Sequence, residues 1–149
     1  VGDYDMAVTG NFMCTSYKKE LMQGIHNLSL SGGNTFKMAL YTDAATLDAT
    51  TTAYTTSNEV SGTGYSAPGK NLTNVDPLTS GTTAYAEFGD QTWTTSTITA
   101  RGALIYNDTA AGDPSVVVLD FGSNKSSSAG DFAVVMPTFN SSSALITIA

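Results

Sequence analysis

One cysteine, one histidine and a single arginine (Cys14, His26 and Arg101) are all that 149 residues contain of those three types. A lone cysteine closes no internal disulfide, so stability must come from packing or oligomerisation. His26 has no His, Cys or carboxylate three or four positions on, so metal-ligand spacing is absent and no metal or cofactor is expected. Charge is scarce as well. Charged residues make up 13% of the chain, and thirteen acids against six bases leave a net charge of -7. Such a surface repels nucleic-acid phosphates, so no nucleic-acid partner is expected. No apolar run approaches the roughly 20 residues that span a bilayer. No charged segment followed by an apolar one opens the chain, so neither a membrane partner nor a signal peptide is expected. These absences speak against an enzyme.

What is abundant is Ser and Thr, about a quarter of all residues, a share well above ordinary usage. They alternate with Val, Ile, Phe and Tyr, as half-buried strands require. With 41% hydrophobic residues the chain is globular, and its length suits one domain with a true core. The reading is an irregular N-terminal arm over 1–15 followed by a single all-β domain over 16–149. An antiparallel β-sandwich, jelly-roll-like, with one short N-terminal helix is expected.

The helix signal lies after Thr15 or Ser16, either of which can cap it, with Tyr17, Leu21, Ile25 and Leu28 at helical spacing. Gly24 shortens it. Thr35 to Thr42 reads as a strand with Phe36, Met38 and Leu40 on one face. Asp43 to Ser66 is long for a connection, which suggests a contact-making loop. Lys70–Val75 and Thr83–Phe88 are strands around turns at Asp76-Pro77 and Ser80-Gly81. Trp93–Thr95, Ile98–Tyr106, Phe132–Met136 and Ala144–Ile148 are further strands. Val116–Phe121 is a continuous apolar run, as a strand covered on both faces would be. Turns are expected at Asn107-Asp108, Gly112-Asp113-Pro114 and from Gly122 to Gly130.

Several patterns resemble chemistry. Ser16-Tyr17-Lys18-Lys19 matches S-x-x-K, a serine nucleophile beside a lysine base, but its companion motifs S-D-N and K-T-G are absent. Capping is the plainer use of Ser16. Gly62-Thr63-Gly64-Tyr65-Ser66-Ala67 fits G-x-G-x-x-A, yet Pro68 and Gly69 forbid the helix that a dinucleotide site needs. His26 falls near the end of the predicted helix, where a cation suits the dipole. Cys14 is either a thiol activated by a helix start or a buried inert one. Asp108 with Asp113, and Asp43 with Asp48, bracket turns without the ligand density of a calcium loop. Trp93 and the tyrosines are either core or a carbohydrate-stacking surface. Tyr54 and Tyr65, in the long polar loop, are candidates for an intersubunit contact. Arg101 sits mid-strand beside Gly102, which suggests a closely approaching backbone. It either faces solvent, pairs with an acid such as Glu87, or bridges an interface.

Five segments carry a resemblance: Ser16 to Leu21 with the following Gly-Ile-His, Thr35 to Thr42 (TFKMALYT), Asn58 to Tyr65 (NEVSGTGY), Thr92 to Asn107 (TWTTSTITARGALIYN) and Val116 to Gly122 (VVVLDFG). Together they resemble small virion structural proteins of tailed bacteriophages. The resemblance implies a non-enzymatic assembly component, foremost a capsid decoration (cement) protein on the outer shell. Its partners would be itself, as a homo-oligomer with a trimer favoured, and the major capsid protein. A tail, neck or fibre-base component is the alternative in the same class, and a carbohydrate- or receptor-binding module is the alternative outside it. The arm would reach along the shell or to a neighbouring subunit.

Overall fold

A computed structural model describes Val8 and residues 10–149. The part of the expected arm formed by residues 1–7 and 9 lies outside the described residues. The chain order is β1 (Phe12–Met13), α1 (Thr15–Met22), β2 (Phe36–Tyr41), β3 (Lys70–Asn71), β4 (Asn74–Ser80) and β5 (Thr83–Phe88). Then follow β6 (Gln91–Ser96), β7 (Thr99–Asn107), β8 (Ser115–Ser126), β9 (Gly130–Val134) and β10 (Ile146–Ile148). The fold is all-β. Its strands form a five-stranded sheet in the order β1-β8-β7-β2-β3, a three-stranded sheet β10-β5-β4 and a pair β6-β9, each with antiparallel neighbours.

The core sits around the middle of the large sheet. Every residue of β8 from Ser115 to Leu119 is buried, and so is every residue of β7 from Gly102 to Asn107. An unbroken apolar run is what a strand covered on both faces needs. β2 is likewise buried at every position except Lys37. Phe36 packs on Phe88 with ring centroids 5.2 Å apart, tying the large sheet to the three-stranded one.

Local signals fail where distant contacts override them. The helix is capped neither by Thr15 nor by Ser16. Its N-cap is Cys14, which makes no side-chain cap bond. Instead the Cys14 N–H donates to Val116 O and the Thr15 N–H to Ala49 O, so pairing with β8 and the long loop satisfies the helix start. The helix ends at Met22 in a Schellman turn, with the Gly24 N–H on Leu21 O and the Ile25 N–H on Glu20 O. Ile25 and Leu28 therefore lie beyond it. The segment next to Cys14, expected to be irregular, is strand β1, and Val8 is buried against the body. Asp76-Pro77 is no turn. It forms an irregularity within β4, which lies at the edge of its sheet, where a residue without an N–H is tolerated. Of the turn expected from Gly122 to Gly130, the part up to Ser126 is instead the far half of β8, and only residues 127–129 connect it to β9. The strand resumes pairing at Lys125 opposite Ala100 after a bulge.

Candidate functional site

The long connection after β2 is a seal. Beyond the short β3 pairing, the outer edge of β2 is left bare at Leu40 to Thr42. There the Val60 N–H donates to Leu40 O and the Thr42 N–H to Asn58 O, with a bridge between Tyr41 and Glu59. Tyrosine hydroxyls hold this cover down. Tyr65 accepts from the Leu40 N–H at 3.0 Å and donates to Glu59 Oε1 at 2.6 Å. Tyr54 donates to Glu59 Oε2 at 2.6 Å and stacks on Tyr106 at 4.7 Å. Tyr41 donates to Thr55 O and Tyr106 to Pro68 O. Burial raises the pKa values of Tyr54 and Tyr65, and the bond to Glu59 adds to the shift, so both phenols stay protonated donors. The two tyrosines expected at an interface are thus committed inside their own chain. Tyr65 is only 8% exposed, which removes it as a surface contact.

Arg101 does not pair with Glu87. Its Nε donates to Asp120 Oδ1 at 3.1 Å and an Nη to Val8 O at 3.3 Å. The expected close approach falls on its neighbour: a Cβ at Gly102 would meet Leu119 O at 2.5 Å and the Val8 side chain. Arg101 thereby fastens the Val8 segment beside the bulge of β8.

Glu87 is 4% exposed and its Oε2 has no partner among the described residues. Burial raises its pKa, and Asp90 pushes the same way, while a backbone bond from Leu145 opposes them. A carboxyl raised in the folded state holds its proton more tightly there than in the unfolded chain. Stability therefore falls as pH rises from the ordinary carboxylate range through the raised value. Glu87→Gln should raise the melting temperature by about 2–4 °C at neutral pH and leave it unchanged where Glu87 is protonated in both states. Thermal unfolding of both proteins across that range is the check, and equal gains at every pH would refute it.

His26 is held at both nitrogens. Asn107 Oδ1 accepts from the Thr109 and Ala110 N–H groups, so its Nδ2 must donate, to His26 Nδ1 at 3.1 Å and to Asn34 Oδ1 at 2.9 Å. His26 Nδ1 is then the acceptor, and Nε2–H donates to Glu20 Oε2 at 2.7 Å. The imidazole is a tie between α1, the segment after it and β7. Among the described residues no group of His, Cys, Asp and Glu could hold a metal.

The remaining patterns dissolve similarly. Cys14 is buried, and desolvation raises its pKa, so it lacks the thiolate character of a nucleophile. Ser16 Oγ is buried with no partner among the described residues, and no bond joins it to the exposed Lys19. Thr63, inside G-x-G-x-x-A, bridges Thr97 with no helix following. Asp108 pairs with Lys37 at 2.9 Å, Asp43 accepts from Asn124, and Asp48 accepts from Thr50. Trp93 is 1% exposed and packs on Tyr65 and Phe132, so it offers no platform to a sugar.

A cleft of about 720 Å³ lies between the large sheet and the β6-β9 pair. β8 lines it at Val117, from Leu119 to Phe121 and at Lys125 and Ser126. Its walls are lined by unbroken runs, from Asn11 to Met13, from Asp131 to Pro137 and from Ser143 to Leu145. β1 and β9 each stand at the edge of their sheet. Both edges lack a partner strand among the described residues. No sequence signal marked this place. The alternation of buried Phe132, Val134 and Met136 with exposed Asp131, Ala133 and Val135 is legible, but not that β9 is an edge.

No protein-family model, curated protein or solved structure matches the chain.

Proposed function

We propose that this protein is a non-enzymatic structural component of a tailed-bacteriophage virion, a capsid decoration protein that binds the outer shell and stabilises it. The cleft is the observation that carries the reading. His26, Arg101 and Glu59 are engaged in holding the fold, whereas the cleft lies between strands that have no further partner strand among the described residues. Such a surface suits polypeptide better than a reacting small molecule. The five virion-like segments supply the context, and the net charge of -7 suits a face turned away from packaged nucleic acid. A symmetric oligomer, a trimer favoured, and a jelly-roll-like arrangement belong to the same proposal. Repetition around a symmetry axis would multiply weak contacts with the shell into avidity.

The test is mechanical. Particles stripped of the protein should release DNA at a lower temperature than intact ones, and adding the protein back should restore the difference. If stripped and intact particles burst together, the decorating role is wrong.

A further inference from the structure

We propose that residues 136–149 form a strap that two carboxyls, Asp90 and Glu87, fasten over β5, and that the strap is released when Glu87 loses its proton to solvent. The device is independent of the assembly reading above.

The strap is tied at its ends. At its start the Met136 N–H donates to Asp90 Oδ1 at 2.7 Å. Just before β10, a backbone bond from Leu145 reaches the Glu87 carboxyl. Both acids stand at the corner where β5 gives way to β6. Between the ties, the hydrogen bonds of residues 138–144 run to one another among the described residues. The Ser142 and Ser143 N–H groups donate to Asn140 Oδ1, and the Ala144 N–H donates to Asn140 O. After them β10 adds three pairs, Ile146, Thr147 and Ile148 with Ala86, Tyr85 and Ala84, at the edge of its sheet. Met136, Ala144 and Ile146 are buried, and that apolar contact keeps the strap closed while Glu87 is neutral. Segments held by so few bonds open at a lower free energy than the core.

Glu87 lies beneath this strap. It is two residues from Tyr85 in β5, so both side chains leave one face of the strand. Phe139 of the strap covers that face, its ring centroid 5.0 Å from that of Tyr85. Glu87 is 4% exposed, and among the described residues its Oε2 has no partner and its carboxyl no ion pair. Residues 136–149 contain no ionisable side chain that could neutralise it. β4 sets Val75 opposite Glu87, and the neighbouring Asp76 is held by the Leu30 N–H. The charge that reaches the carboxyl is the negative one of Asp90.

A neutral carboxyl is tolerated in that place, whereas an ionised one must reach water. Lifting the strap hydrates it at the smallest cost, since the middle of the large sheet stays packed. Glu87 holds its proton more tightly with the strap closed than with it open, because burial and Asp90 both favour the proton. Closure is therefore favoured at low pH. The opening constant grows as pH rises from the ordinary carboxylate range through the raised value, then levels off. Opening would remove the cleft wall at residues 143–145 and bare the β5 edge that β10 covers.

Hydrogen exchange of the full chain, read residue by residue as protection factors from acid to mildly alkaline pH, tests the strap. Protection over Ile146–Ile148 should fall at least tenfold as pH rises, while that of Val116–Leu119 in β8 holds. Glu87→Gln should keep the strap protected at every pH. Asp90→Asn retains an acceptor for the Met136 N–H but removes the charge, so Glu87 ionises more readily in place and the fall should shrink. A pH-independent wild type would overturn the proposal, and so would a fall that survives in Glu87→Gln. Equal losses in β10 and β8 would show that Glu87 acts on the whole domain and would also overturn it. Absence of protection at every pH would mean that nothing fastens the segment. Should Glu87→Gln fail to fold, Asp90→Asn decides alone, and a fall as large as the wild type's sinks the idea.

Discussion

Gly69→Ala should lower the stability of this protein by about 3–4 kcal/mol, a large share of the margin a domain of this size usually has. Gly69 has a φ of +88°, a left-handed conformation that a Cβ disfavours. Its surroundings are the greater problem. An added Cβ would fall on the carbonyl of Met38 and within 2.9 Å of Ala39 Cα. Those atoms belong to β2, which is hydrogen-bonded to β7 along its length and buried, so it cannot retreat cheaply. Gly81→Ala is the control. Gly81 has a φ of +57° with open space where its Cβ would go, so it isolates the conformational cost at about 1 kcal/mol. Urea unfolding of both variants separates the effects. A Gly69→Ala protein no weaker than Gly81→Ala would mean that β2 yields.

Glu59→Ala is expected to cost about 2–4 kcal/mol, from two charge-assisted hydrogen bonds lost at once. Its carboxylate accepts from Tyr54 and Tyr65 at 2.6 Å each. Removing it leaves two phenols without an acceptor, one of them on the buried Tyr65. Tyr54→Phe should cost about 1 kcal/mol. Tyr65→Phe should cost more, because the Leu40 N–H then loses its acceptor as well. The bonds share one carboxylate, so Glu59→Ala combined with Tyr65→Phe should be milder than the sum of the two singles. A strictly additive double mutant, measured by urea unfolding, would show that Glu59 does not organise the cover over β2. Hydrogen exchange gives an independent view: amide protection at Leu40 should fall sharply in Glu59→Ala and little in Tyr54→Phe.

Much of this architecture is legible in the residues alone, and the reason is local. The alternation in Thr35–Thr42 and the apolar run from Val116 to Phe121 mark strands because side-chain period and strand geometry are near-neighbour properties. Trp93 reads as core because a large apolar ring has few other places to go. The tyrosines of the long loop point the other way. Aromatic residues in a polar, Thr-rich stretch look like contact residues, and only the arrival of β2 beneath them turns Tyr54 and Tyr65 inward. Likewise Arg101 reads as a charge in need of an acid. Which acid depends on the register of β7 against β8, and Glu87 is spent elsewhere as a buried carboxyl.

The sequence by itself determined that the chain is β-rich, acidic, poor in reactive side chains and endowed with one short helix, since composition and short-range period suffice for each. The tertiary structure alone decided that the long loop covers the β2 edge of the large sheet, who partners Arg101 and Glu59, and that a cleft exists. Those features are made where segments far apart in the chain meet, Asn11–Met13 with Asp131–Pro137 and Leu40 with Tyr65. Pairing and closure are set by the packing of the whole core, and no local pattern encodes them.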